Sequence, residues 1–224
     1  MPAPSVCPFK AIVFDLDGTL TNTDPLHFRI FQQMLGERGI SVDEAVYQRQ
    51  ISGRTNEAIV KDFFPFFSDR EILQFSEEKE QRFRHLAQSQ IEPMPGLMAL
   101  LDWIEHHHLR TAIVTNAPRL NAEFMLHGLQ LSDRFEFVVL GEDLPRAKPD
   151  PLPYETAISR LNLLPQEVLV FEDSPSGIRA AIAAHIPTIG IASTHNPQKL
   201  MALGIELAVS DFAEPALKQW LGMK

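Results

Sequence analysis

The sequence predicts a doubly wound α/β domain, a parallel sheet with helices on both faces, carrying a helical insertion after its first strand. Two observations lead there. Short apolar runs rich in β-branched residues alternate with helix-length amphipathic stretches from residue 110 to the end, which is the pattern of parallel βαβ units. Between residues 21 and 90 that alternation is absent, and the spacing of apolar residues is helical throughout.

The first strand is the run Ile12-Val13-Phe14, which leads into Asp15-Leu16-Asp17-Gly18-Thr19. Gly18 marks the turn that ends it. From Asp24 the pattern is helical: Phe28, Phe31, Met34 and Leu35 recur at helix spacing, and Gly39 is the expected stop. Further helices are predicted near 42–51, 55–64 and 69–86, and Phe63, Phe64, Phe66 and Phe67 around Pro65 are expected to pack between them. The segment from Ile91 to Gly96, with Pro93 and Pro95, is a natural boundary. These signals divide the chain into a core of residues 1–20 and 91–224 and a helical cap of residues 21–90. A helix from Leu97 then opens the alternation. Strands are predicted at 111–114, 135–140, 168–171, 188–191 and 207–209, and helices at 120–129, 153–161, 175–184, 197–203 and 213–221.

The bulk properties narrow the function. At 224 residues there is room for one sizeable core plus a small accessory domain. The formal net charge of −9 argues against nucleic acid or an anionic membrane as the main partner, and leaves room for a local cationic pocket. Cys7 is the only cysteine, so neither an internal disulfide nor a thiolate metal cluster is expected, and Cys7 itself is assigned no role. No apolar run approaches membrane-spanning length, and Met1 to Lys10 lack the apolar region of a signal peptide, which makes the cytoplasm the expected location. Nothing demands more than a monomer.

In a parallel sheet the carboxyl ends of all strands lie on one edge, where open α/β sheets hold their ligands. The predicted strands end in Asp15 and Asp17, in Thr115 and Asn116, and in Glu172 and Asp173, while Lys148 precedes the helix that begins near Pro153. Four carboxylates crowded together repel one another. A hard divalent cation with oxygen ligands relieves that conflict, and Mg²⁺ is the usual choice. Lys148 adds positive charge, and the hydroxyl and backbone donors at Thr115 and Asn116 suit a tetrahedral anion. A phosphoryl group meets all these requirements.

These four groups, Asp15-x-Asp17-Gly18-Thr19, Thr115 after an apolar strand, Lys148, and Glu172-Asp173, resemble in order and context the motifs of the haloacid dehalogenase (HAD) superfamily, whose core is Rossmann-like. The helical insertion resembles the cap of the subgroup that contains β-phosphoglucomutase and small sugar-phosphate phosphatases. The resemblance implies that Asp15 attacks phosphorus, and that Asp17 protonates the leaving oxygen and then deprotonates water. It implies Mg²⁺ held by the Asp15 carboxylate, the Asp17 backbone carbonyl and Asp173, with Glu172 assisting, while Thr115 and Lys148 bind phosphoryl oxygens. Closure of the cap would exclude water until substrate is seated. Carbon–halogen cleavage is disfavoured, because a halide leaving group needs no proton and dehalogenases of this type lack the second aspartate.

In the cap, His27 is similar in position to a substrate-side histidine of the mutase pattern, and Lys79 to a cap lysine that reaches toward the pocket. The mutase arginine that grips a second phosphate has no counterpart, since Asn56 stands in its place and Arg54 comes two residues earlier in Gly53-Arg54-Thr55-Asn56. Arg54 remains a candidate for the pocket. Without that grip a mutase loses one means of retaining its bisphosphate intermediate. The expected activity is therefore Mg²⁺-dependent hydrolysis through an aspartyl-phosphate of small phosphorylated metabolites, sugar phosphates first among them, with no nucleic-acid or membrane partner. A β-phosphoglucomutase is the alternative within the family, and a non-catalytic phospho-ligand binding protein the alternative outside it.

Overall fold

A computed structural model describes residues 8–223. The leader containing Cys7 lies outside them. Two compact units are present, one taking in the chain up to Asn22 and from Glu92 onward, the other Thr23–Ile91.

The first unit is built on a six-stranded sheet of β1 (Ala11–Phe14), β2 (Arg110–Thr115), β3 (Val138–Leu140), β4 (Val168–Glu172), β5 (Thr188–Ile191) and β6 (Leu207–Val209), in the order β3-β2-β1-β4-β5-β6. Every pairing is parallel. Each strand is nearly continuous in apolar residues because helices cover both faces. Side chains alternate along a strand, so Ala11 and Val13 face the same way as Val168 and Val170 of the paired β4. They form one core cluster with Tyr154, Ala157, Ile158 and Leu161 of α7 (Leu152–Leu161) and with Ala180 and Ala181 of α8 (Pro175–Ala183). On the opposite face Phe14 packs on Phe171, Phe212 and Phe135 at ring-centroid distances of 5.3, 6.1 and 5.8 Å.

The predicted strand from Phe135 is shorter than expected, beginning only at Val138. Phe135 is drawn onto the Phe14 ring, and although Glu136 N–H donates to Thr111 O, regular pairing starts later. The remaining helices of this unit are α5 (Leu97–His106), α6 (Arg119–Gly128), α9 (Pro197–Met201) and α10 (Pro215–Leu221).

The second unit consists of α1 (Asp24–Gly36), α2 (Glu44–Gln50), α3 (Asn56–Phe63) and α4 (Asp69–Ala87). Asp43, Thr55 and Ser68 cap the last three by accepting from a first-turn backbone N–H, and Glu71 completes a capping box with Ser68. Arg82 of α4 bridges to Glu37 after α1 at 2.7 Å and to Glu78 of its own helix at 2.5 Å. Phe64 is buried and stacks on Phe67 at 4.6 Å, but Phe66 is 79% exposed rather than packed between helices. Pro65 turns the chain here, and one turn cannot bury four consecutive-register aromatics on a single side. Among the described residues no helix is long and apolar enough to cross a membrane.

Candidate active site

The order of the strands reverses between β1 and β4. From β1 the chain moves outward through β2 to β3, then returns to lay β4 on the other side of β1. Loops leaving the carboxyl ends of β1 and β4 diverge at that point and open a crevice. Asp15 follows β1, and Glu172 and Asp173 close β4.

The alternation that places Val13 and Val170 against α7 and α8 also sends Asp15 and Glu172 to that side. Lys148 meets them there. Its ammonium donates to Asp15 Oδ1, Glu172 Oε1 and Val114 O, each at 2.7 Å. One buried cation thus ties together the ends of β1, β4 and β2, and all three of its protons are used. The Lys148 backbone is held by Asn116, whose Nδ2 donates to Lys148 O at 3.1 Å and whose Oδ1 accepts from Lys148 N–H at 3.2 Å. The Lys148–Pro149 peptide is cis. A Cβ at Gly141 would come within 2.6 Å of Asn116 Oδ1, so the clamp requires glycine there.

Glu172 is fully buried and fully engaged. Oε1 accepts from Lys148 and from Tyr154 Oη (3.1 Å), while Oε2 accepts from the N–H and hydroxyl of Ser174, both at 3.0 Å. A Cβ at Gly177 would sit 1.5 Å from Oε1, so α8 can pass this carboxylate only as glycine. Gly18 has φ +81°, and a Cβ there would lie 2.1 Å from Asp173 Oδ2. Thr115 closes β2, is buried, and accepts from Ala117 N–H at 2.9 Å, an arrangement that leaves the hydroxyl proton to donate elsewhere.

Carboxylate oxygens of Asp15, Glu172 and Asp173 lie within 4.8 Å of one another. Burial pushes the Asp15 carboxyl up to about 7, against the pull of Lys148, with Glu172 and Asp17 adding repulsion. Burial also drives Asp173 well above the usual carboxylate range, reinforced by Asp15 and Glu172. Lys148 goes the other way: burial opposes its charge, but Asp15 and Glu172 outweigh that and raise it. The single ammonium does not balance the acidic cluster. An all-oxygen donor set with unbalanced negative charge fits a hard divalent cation.

These features are those of one family: the sequence profile of the haloacid dehalogenase-like hydrolases matches residues 12–191. The chain belongs to that family. Among curated proteins it is similar to the phosphorylated carbohydrates phosphatase of Thermotoga maritima, 30% identical over 201 residues, which cover 86% of this chain and 89% of that protein. It is 31% identical over 198 residues to the validoxylamine A 7'-phosphate phosphatase of Streptomyces hygroscopicus, covering 86% and 90%. Its fold is similar to a family IA, variant 3 HAD hydrolase from Entamoeba histolytica, with TM-score 0.87, 27% identity, and coverage of 96% and 99%.

The helical unit has a polar cluster of its own. Lys79 is only 5% exposed, bonded to Glu80 at 2.9 Å, with its ammonium 5.5 Å from the Phe31 ring centroid and 5.9 Å from that of Phe83. His27 stacks on Phe83 at 4.3 Å, and Asn56 Nδ2 donates to Glu80 Oε1 at 2.6 Å. Burial works against the Glu80 charge, but Lys79, His27 and Asn56 outweigh it and hold its pKa below the usual range. Arg54 is not in this cluster: it pairs with Asp62 at 2.7 Å and donates to Gln50 O at 2.8 Å. Asn56, two residues on, is the one that bonds Glu80, the partner of Lys79.

Sequence reading gave no role to Tyr154, Ser174, Gly141 or Gly177, although Ser174 and Gly177 closely follow the acidic pair. Tyr154 carried a usable signal, since a tyrosine on the buried face of a helix needs a partner for its hydroxyl. The glycines carried none without the neighbours they admit.

Proposed function

We propose that this hydrolase is a Mg²⁺-dependent phosphatase of small phosphorylated carbohydrates, working through an aspartyl-phosphate. The observation that carries the reading is the Asp15 carboxylate at the switch point of the sheet, held by Lys148 and next to Asp173. An Asp15 oxygen attacks phosphorus, and the bond from phosphorus to the substrate oxygen breaks. Asp17 gives its proton to that leaving oxygen. Asp17 then takes a proton from water, whose oxygen attacks the aspartyl-phosphate, and inorganic phosphate departs from a regenerated Asp15. Thr115 and Lys148 stabilise charge gathering on the phosphoryl oxygens. Asp15 and Asp173, with the Asp17 backbone carbonyl, would hold Mg²⁺, which when bound supplies positive charge to the phosphoryl group. Glu172, with four donors on its two oxygens, serves by holding Lys148.

To the helical unit we assign recognition of the carbohydrate, with His27 and Lys79 as its polar groups. Glu80 neutralises Lys79, and Asn56 replaces the arginine that would grip a second phosphate, so a monophosphate with a neutral hydroxylated body fits better than a bisphosphate. Inorganic phosphate released from a panel of sugar and polyol monophosphates with Mg²⁺ tests this. Conversion of β-glucose 1-phosphate to glucose 6-phosphate with a bisphosphate primer and no phosphate release would overturn it in favour of a mutase.

A further inference from the structure

We propose that Tyr154 is a positioning residue for this reaction: through Glu172 it holds the Lys148 ammonium against the Asp15 carboxylate. The inference rests on the reading of Asp15 as nucleophile. Tyr154 is completely buried in α7, and its hydroxyl donates to Glu172 Oε1, the same oxygen that accepts from Lys148. Its ring also lies beside the ammonium, with the Lys148 nitrogen 5.0 Å from the ring centroid. One side chain therefore touches both members of the Lys148–Glu172 pair.

The consequence follows from counting lone pairs. A buried carboxylate oxygen has two acceptor positions, and each donor that fills one takes up part of its negative charge. On Oε2 both come from Ser174, and on Oε1 one comes from Lys148 and one from Tyr154. Without the tyrosine hydroxyl, Oε1 keeps the Lys148 ammonium as its one donor, and its less compensated negative charge draws that ammonium closer. Lys148 then moves toward Glu172 and away from Asp15, whose Oδ1 it meets at 2.7 Å. The nucleophile loses its fixed orientation and part of its charge compensation. The tyrosine thus sets how one cation is shared between two carboxylates.

A purely packing role for Tyr154, within the cluster of Ala157, Ile158 and Leu161 on its own helix, makes different predictions. Tyr154→Phe keeps the ring and removes only the hydroxyl, and Ile158→Val perturbs the same helix without touching Glu172. With p-nitrophenyl phosphate and Mg²⁺, Tyr154→Phe is expected to lower kcat about tenfold, or ~1.4 kcal/mol, with KM within about twofold. Ile158→Val should leave both within about twofold. In metal-free protein, the ¹H–¹⁵N signal of the Lys148 ammonium should shift in Tyr154→Phe and stay in place in Ile158→Val. On a Glu172→Gln background, Tyr154→Phe should cause little further loss, because the charged acceptor through which it acts is gone. A folded Tyr154→Phe with unchanged kcat, an unmoved Lys148 signal, or full additivity with Glu172→Gln would overturn the proposal. If the wild-type protein cleaves no phosphate monoester, the assigned reaction fails, while the ammonium signal still decides where Tyr154 holds Lys148.

Discussion

Replacing Asp15 by Asn should remove activity and at the same time stabilise the metal-free protein. The Asp15 carboxyl is raised from 3.8 to about 7, chiefly by burial, and this is the balance left after the attraction of Lys148. A raised carboxyl pKa means that the folded state binds the proton more tightly than the unfolded chain. Stability therefore falls as pH rises from 3.8 to about 7, and above that window the penalty is complete. At ~1.36 kcal/mol per unit over about three units, the penalty approaches ~4 kcal/mol. Asparagine has nearly the same shape, still offers an oxygen to Lys148, and does not titrate. In EDTA, Asp15→Asn should match the wild type near pH 4 and gain on it steadily, to roughly 2–4 kcal/mol at pH 8. Urea unfolding at pH 4, 5, 6, 7 and 8 reads this directly. Saturating Mg²⁺ should raise the wild type more than the variant, which has lost a carboxylate ligand. A metal-free wild type more stable than Asp15→Asn at pH 8, or a gap that does not change with pH, would refute the account of a site held at a cost in stability for its chemistry.

Three further predictions concern shape and recognition. Gly18→Ala should cut phosphate release at least about a hundredfold and abolish the thermal shift caused by Mg²⁺, because its Cβ would fall 2.1 Å from Asp173 Oδ2; the left-handed backbone adds about 1–2 kcal/mol of destabilisation, measurable in urea. Arg54→Ala breaks an exposed pair with Asp62, so it should cost under about 1 kcal/mol and leave the ranking of sugar phosphates unchanged. Asn56→Ala should change that ranking, because it releases Glu80 from a 2.6 Å bond beside Lys79.

Much of this was legible in the string of residues. Strands buried on both faces must be apolar throughout, so Ile12-Val13-Phe14 and Val168-Leu169-Val170-Phe171 announced themselves, and parallel pairing then put Asp15, Thr115 and Asp173 on one edge. The helical character of residues 24–87 followed from apolar spacing, and the structure adds the caps, such as Ser68 with Glu71. Periodicity fails in the turns. It could not tell that Phe66 projects into solvent, or that Arg54 turns to Asp62 while Asn56 reaches Glu80.

The sequence by itself determined which chemical groups reach the carboxyl edge of the sheet, because the position of each strand and the parallel direction that alternating helices impose can be read from the local apolar pattern. Only the tertiary structure decided how those groups share their protons: that Lys148 divides itself between Asp15 and Glu172, that Tyr154 and Ser174 fill the rest of Glu172, and that Gly18, Gly141 and Gly177 leave room for the arrangement. Hydrogen bonds at a buried site depend on distances of a few tenths of an ångström between residues 24 to 133 positions apart, such as Lys148 with Glu172 and with Asp15. No local pattern in the chain encodes such distances.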